Sequence, residues 1–221
     1  MSQPATTTPK QPERATCFVD GSNFYHGLKE IGVHNLGQLD FAKIAKKLCG
    51  PRTWTGLRYY VGQLSQADDL QLYSAQRAFV MRQKKLDARI SFHMGRIEPR
   101  RAKDKAAKAV REYVEHSGTT IAPAVRADLL AIAKAHEDAV IYVEKAVDVM
   151  LAVDLVILAE RNEYDTAYVL AADGDYTHAV GFVRSRGKRV FAVSATTGAQ
   201  LAAAVDSFIR IPAKWLRDCY I

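Results

Sequence analysis

The chain has 221 residues, 48% of them hydrophobic and 25% charged, with a formal net charge of +7. That length supports one domain with a sizeable core, and no apolar run approaches the roughly 20 residues that a membrane-spanning helix needs. The three cysteines, Cys17, Cys49 and Cys219, are odd in number and far apart. They argue against a disulfide framework or a zinc cluster and point to packing roles in a reducing cytoplasm.

The first 15 residues are rich in Pro, Thr and Gln and lack the apolar centre of a secretory signal, so a tail without fixed structure is expected there. Cys17-Phe18-Val19 then reads as a short strand that stops at Asp20-Gly21-Ser22-Asn23, after which Phe24, Leu28 and Ile31 recur at helical spacing. A helix over residues 40–48 follows, with Asp40 as its cap, then a β-favouring run over residues 53–61 and a helix with a basic face over residues 68–86. Residues 90–97 suit a third strand. From about residue 99 to residue 138 the chain turns to Ala, Lys, Arg and Glu, which predicts a basic helical insertion of two helices broken near Ser117-Gly118-Thr119.

Ile141-Tyr142-Val143 precedes an almost unbroken apolar run, Ala146 to Ala159, whose length and Ala and Met content predict a buried helix. Thr166 to Ala171 reads as a strand ending at Ala172-Asp173-Gly174-Asp175, followed by a helix to Ser185, a strand at residues 189–193, a short helix and a last apolar run at residues 208–211. Alternating strands and helices of this kind predict a mostly parallel sheet with helices on both faces, and a ligand site beyond the carboxyl ends of the strands.

Asp20 and Asp173 occupy the same topological place, each just after a strand and before a helix, where an Asp serves either as a helix cap or as a site residue. Asp173-Gly174-Asp175 sets two carboxylates around a flexible residue, a pair able to offer oxygens to a hard cation. Asp148 lies in the apolar run, where an ionised carboxylate is costly unless a cation or Lys145, three residues earlier, partners it. Asp154 falls about 120° round the helix from Asp148 and roughly 9 Å along it, which gives it a supporting role. A carboxylate cluster with no His or Cys suits Mg²⁺ or Mn²⁺ and phosphoryl chemistry. Asn23 could orient a water, a carboxylate or a phosphate, or merely cap the helix.

From Arg96 to Arg111 there are seven basic residues, among them Arg100 and Arg101, against two acidic ones, a net of +5. This run suits either a phosphate backbone or a solvated helix face. No G-x-x-x-x-G-K-[ST], G-x-G-x-x-G or G-x-S-x-G pattern is present, and the six histidines are scattered, with only His178 close to the acidic residues in sequence.

Asp20-Gly21-Ser22-Asn23-Phe24-Tyr25, Glu144-Lys145-Ala146-Val147-Asp148-Val149 with Asp154, and Ala172-Asp173-Gly174-Asp175-Tyr176 together resemble the NYN domain of the LabA/DUF88 type, a branch of the PIN-like nuclease superfamily. Arg186 to Val190 and Leu201 to Ile211, with Asp206, are similar to that family's closing strands. The resemblance runs from Cys17 to Ile211 and leaves out the basic insertion. It implies a PIN-like three-layer α/β fold over residues 16–221, with the insertion at about 99–138. It also implies a Mg²⁺ or Mn²⁺ cofactor and cleavage of RNA by metal-activated water, with Asp20, Asp148, Asp173 and Asp175 as catalytic metal ligands. Asn23 matches the family's polar position after the first aspartate; the charge pattern, and not the resemblance, assigns phosphate contacts to Lys145, Arg96, Arg100 and Arg101 beside it.

The leading expectation is a cytoplasmic endoribonuclease acting on RNA, single-stranded rather than double-stranded, with DNA left open and a homo-oligomer compatible with it. The alternative is a non-catalytic RNA-binding or regulatory module on the same fold. A small-molecule phosphatase ranks lower, because the second aspartate of a haloacid-dehalogenase pattern would stand where Ser22 is.

Overall fold

A computed structural model describes residues 12–117 and 121–221. The first strand, β1 (Arg14–Asp20), begins three residues before the apolar run. Arg14 and Ala15 pair with Thr53 and Trp54 of the next strand, and the Arg14 guanidinium grips Asp165 at 2.9 Å. The expected tail therefore loses Arg14 and Ala15 to the sheet, while residues 1–11 lie outside the described residues.

After β1 come α1 (Gly21–Glu30), α2 (Phe41–Cys49), β2 (Thr53–Gln63), α3 (Leu70–Leu86) and β3 (Ile90–Arg101). Asp20, Asp40 and Asp69 each accept backbone N–H groups at the start of α1, α2 and α3, satisfying amides that have no partner within the helix. The chain continues through α4 (Lys105–His116), α5 (Pro123–Glu137), β4 (Val140–Lys145), α6 (Val147–Glu160), β5 (Thr166–Leu170), α7 (Thr177–Ser185), β6 (Arg189–Ser194), α8 (Ala199–Ala204) and β7 (Ser207–Arg210). The helix break expected near Ser117 falls partly on residues 118–120, outside the described residues; Ser117 itself caps α4.

The strands form one sheet in the order β4-β3-β2-β1-β5-β6-β7, and the β1–β2, β1–β5, β2–β3, β5–β6 and β6–β7 pairings are parallel. This is the mostly parallel α/β sheet that the alternating pattern predicts. Side chains alternate across it. Cys17 and Val19 of β1 join Phe24, Leu28 and Ile44 in a core under α1 and α2, while Phe18 joins Leu151, Leu155, Val180 and Val183 under α6 and α7. The same alternation sends Asp20 to the Phe18 face, beneath the start of α6.

Residues Ile97–Lys145 make one compact unit, and the described residues before and after it make the other. The expected basic insertion lies inside the smaller unit, where Ala107, Val114 and Ala133 are buried between α4 and α5. Its charge is less available than the sequence count suggests. Arg111 meets Glu115 at 3.0 Å and Glu137 at 3.1 Å, Lys108 meets Glu112 at 3.6 Å, and Arg100 meets Glu98 at 3.5 Å. Three of these four acids lie beyond the window that gave +5.

Gly21 fixes how closely α1 can approach the sheet. A Cβ there would stand 2.5 Å from the Tyr59 ring and 2.8 Å from the Tyr60 carbonyl oxygen, which is backbone and cannot swing away. The Gly21→Ala variant is expected to lose about 1–3 kcal/mol of unfolding free energy, measured by urea denaturation. An unchanged midpoint would show that the α1 entrance tolerates a methyl group.

Candidate functional site

β1 ends at Asp20, whose residue is 3% exposed at the carboxyl edge of the sheet. Its two carboxylate oxygens are both engaged: Oδ1 accepts the Asn23 amide at 3.0 Å, and Oδ2 accepts the Tyr176 hydroxyl at 2.8 Å. The same hydroxyl lies 3.0 Å from Oδ1 of Asp148. A phenol has one proton to donate, so a single O–H serves two carboxylates. Burial pushes the Asp20 carboxyl up; the Asn23 amide and the Tyr176 hydroxyl pull it back, and the charges of Asp148 and Asp173 push it up again, for a net rise. Burial, then the two acids, also raises the Tyr176 hydroxyl far above the ordinary tyrosine range, so it stays protonated as a donor.

Asp148 is placed differently from the sequence expectation. It is exposed, not enclosed by the apolar run, because α6 starts at Val147 and Asp148 falls in its first turn. The argument from the cost of burying it therefore fails. What holds it near Asp20 is the geometry of the helix start, where Ala146 adopts a left-handed φ of 71° and the free amides favour an acid. Lys145 ends β4 and is outside the helix, so the expected pairing along one helical face does not arise.

Asp173 follows β5 and caps a short turn, Gly174–Tyr176, by accepting the Asp175 amide at 3.0 Å. Asp175 itself is exposed. That turn delivers Tyr176, which is 1% exposed, into the space between Asp20 and Asp148. The turn in turn rests on α8: a Cβ at Gly198 would collide with the Ala172 carbonyl, and one at Gly174 with the Gln200 side chain. Asn23 uses its side-chain oxygen to accept the Ala172 amide at 2.9 Å, tying the start of α1 to the end of β5. His178 is exposed on α7.

Asp154 is separately occupied. Its Oδ2 accepts Arg58 at 2.7 Å and the Tyr60 hydroxyl at 2.7 Å, and His93, stacked on Tyr60, lies 3.9 Å away. Burial works against its charge, but these hydrogen bonds outweigh it and hold the carboxyl below the usual range. Of the predicted basic residues, Arg96 falls in the larger unit, and Arg100, Arg101 and Lys145 fall in the smaller one.

The sequence reading thus missed Tyr176, Arg58 and Tyr60. Tyr176 carried a usable signal, since it closely follows Asp173 and Asp175 and leads into a helix; Arg58 and Tyr60 sat in an ordinary β-favouring run. Among the described residues, no three His, Cys, Asp or Glu side chains stand together as a ready metal cage. The donor chemistry nevertheless fits a hard divalent cation: it is all oxygen, and two carboxylates, with a third near enough to raise Asp20, share one hydrogen-bond donor.

Residues 14–212 match the NYN domain family. No curated protein matches the chain. Among solved structures, a crystal structure of a protein of unknown function from Vibrio parahaemolyticus superposes with a TM-score of 0.57 at 15% identity, covering 95% of this chain and 99% of that one. The likeness is one of fold. Among the described residues, no helix is long and apolar enough to cross a membrane.

Because Asp20 has a folded carboxyl pKa above its ordinary value, folding favours its protonated form. The folded state then binds more protons than the unfolded chain between those two values, so the Asp20 contribution is greatest at low pH and is lost as pH rises through that window. In chelator at neutral pH, the Asp20→Asn variant, which keeps an oxygen for the Asn23 amide, is expected to melt above wild type. A melting temperature below wild type throughout pH 4–7 would contradict this.

Proposed function

The chain belongs to the NYN domain family, part of the PIN-like superfamily of nucleic-acid hydrolases, and on that premise we propose that it is a LabA/DUF88-type endoribonuclease dependent on Mg²⁺ or Mn²⁺. The observation that carries this reading is the shared Tyr176 hydroxyl, which gathers Asp20 and Asp148 beside Asp173 at the carboxyl edge of the sheet. Parallel α/β sheets bind their ligands at that edge.

In this reading Asp20, Asp148 and Asp173 hold the ion, and Asp175, joined to Asp173 through its backbone amide, adds negative charge at the rim. The bound ion supplies water activation and neutralises charge on the attacked phosphate. The chain's own residues do the rest. Tyr176 and the Asn23 amide keep Asp20 in one orientation, and the Asn23 side chain keeps the end of β5, and so Asp173, in place. Of the basic residues expected at phosphates, Arg96 shares a unit with the acids and is assigned to a phosphate flanking the cut.

The test is incubation of the purified protein with labelled single- and double-stranded RNA and DNA in Mn²⁺, Mg²⁺ or chelator. Single-stranded RNA is expected to be cut internally with either metal and left intact in chelator. Asp173→Asn is expected to lower the rate by about 100-fold or more without shifting the melting temperature appreciably. Salt-sensitive RNA binding with no cleavage in any metal would overturn the nuclease reading in favour of a binding module.

A further inference from the structure

We propose that the cavity between α3, the carboxyl end of β2 and the Met94 stretch of β3 receives one unstacked base of the single-stranded RNA held at the acidic centre. The proposal rests on the nuclease reading and names how that substrate is gripped. The cavity has a volume of about 380 Å³ and is lined by Gln63, Tyr73, Gln76, Arg77, Val80 and Met94, together with Met81. That volume suits a small planar ligand.

Its walls have the chemistry of a base site. Tyr73 is partly exposed, and the Arg77 guanidinium lies 5.8 Å from the centre of its ring, so two planar groups meet at one edge. Val80 and Met94 give an apolar surface, and Met81, 66% exposed, can fold onto whatever enters. Among the described residues, no carboxylate lines the cavity. Gln76 is held to the backbone, its oxygen accepting the Leu64 amide at 3.0 Å and its amide donating to the Gly62 carbonyl at 2.8 Å. This clamps α3 to the end of β2 and keeps Tyr73, one turn away, at the mouth. Gln63 is exposed there and offers an amide to a base edge.

Charge favours the same occupant. Over Leu70–Leu86, α3 carries Arg77, Arg82, Lys84 and Lys85 and no acidic residue. None of the four has an ion pair with an acid among the described residues, in contrast to the partly compensated insertion. Aromatic and guanidinium planes beside a cationic helix form the usual platform for single strands, in which any base can stack.

Position links the cavity to the acidic centre. Asp20 is in register with Tyr60, and Gln63 lies three residues further along β2, roughly 10 Å toward the same carboxyl edge. Met94 is in register with Val61 on the adjoining strand. Gln63 and Met94 share the face of Tyr59, Val61 and Phe92, opposite Asp20, so a strand held at the acidic centre reaches the cavity by crossing over the carboxyl edge of the sheet.

The experiment measures binding of a short fluorescein-labelled single-stranded RNA by anisotropy in chelator, so that cleavage plays no part. Tyr73→Ala is expected to weaken binding about tenfold and Tyr73→Phe to restore it to within about twofold, because the ring and not its hydroxyl does the stacking. Replacing the bases one at a time by abasic sites should reveal one position that costs wild type affinity and costs Tyr73→Ala almost nothing. Arg77→Ala, an exposed change, should weaken the same position. Duplex RNA, which cannot offer an unstacked base, should bind wild type and Tyr73→Ala alike. Equal losses on duplex and single strand, unchanged affinity in Tyr73→Ala, or an abasic cost shared by wild type and variant would each overturn the proposal. Wild-type cleavage assayed in Mn²⁺ separates the two readings: base-dependent binding without cleavage removes the nuclease and leaves the pocket, and cleavage without base dependence removes only the pocket.

Discussion

One phenolic hydroxyl placed between two carboxylates is the constraint around which this fold closes. Tyr176 reaches Asp20 and Asp148 at 2.8 and 3.0 Å, and three separate segments must be positioned for that to happen. β1 must deliver Asp20 on the α6 face, α6 must begin at Val147 so that Asp148 lies in its first turn, and the turn after β5 must carry Tyr176 inward. Each depends on something local. Gly21 admits α1 against the Tyr60 carbonyl, Ala146 takes a left-handed conformation, and Gly198 lets α8 approach Ala172. Without these close approaches the acids would sit on separate loops.

The two ends of the central strands treat charge in opposite ways. At the amino end Asp165 is bound by Arg14, whose hydrogen bonds hold its carboxyl well below the usual range against a smaller effect of burial. Glu13 is shared among Arg52, Arg189 and Thr166, and these bonds lower its carboxyl although burial opposes them. Asp154, within the α6 face, is likewise compensated by Arg58. At the carboxyl end Asp20 has, among the described residues, an amide and a shared hydroxyl but no cation, and burial raises its carboxyl. Negative charge is therefore balanced where the sheet needs stability and left in excess where a cation could be held.

Positive charge is distributed with the same economy. Two basic residues of the insertion, Lys108 and Arg111, are answered by acids one helical turn away or on the neighbouring helix, which lowers the field of α4. The cations of α3 form no ion pair with an acid among the described residues, and α3 packs through Phe79 on the sheet face opposite Asp20. For a polyanionic substrate, the field that matters is the uncompensated one.

The alternation of apolar runs and turn residues by itself determined the parallel α/β architecture and the placement of Asp20 and Asp173 at strand ends, because side-chain periodicity and N-cap chemistry are local. It also set Asp154 apart from Asp148, since helical geometry fixes their separation. The sequence could not say where α6 begins. An apolar run looks the same whether its acid lies inside it or in the first turn, so Asp148 was read as buried when it is exposed. Counting charge in a window likewise overlooked Glu112, Glu115 and Glu137, whose pairing depends on helical neighbours beyond the window or on a second helix. Only the tertiary structure brought Tyr176 onto the two acids and assembled Tyr73, Arg77 and Met94 around one cavity, because those meetings join segments that chain order keeps apart.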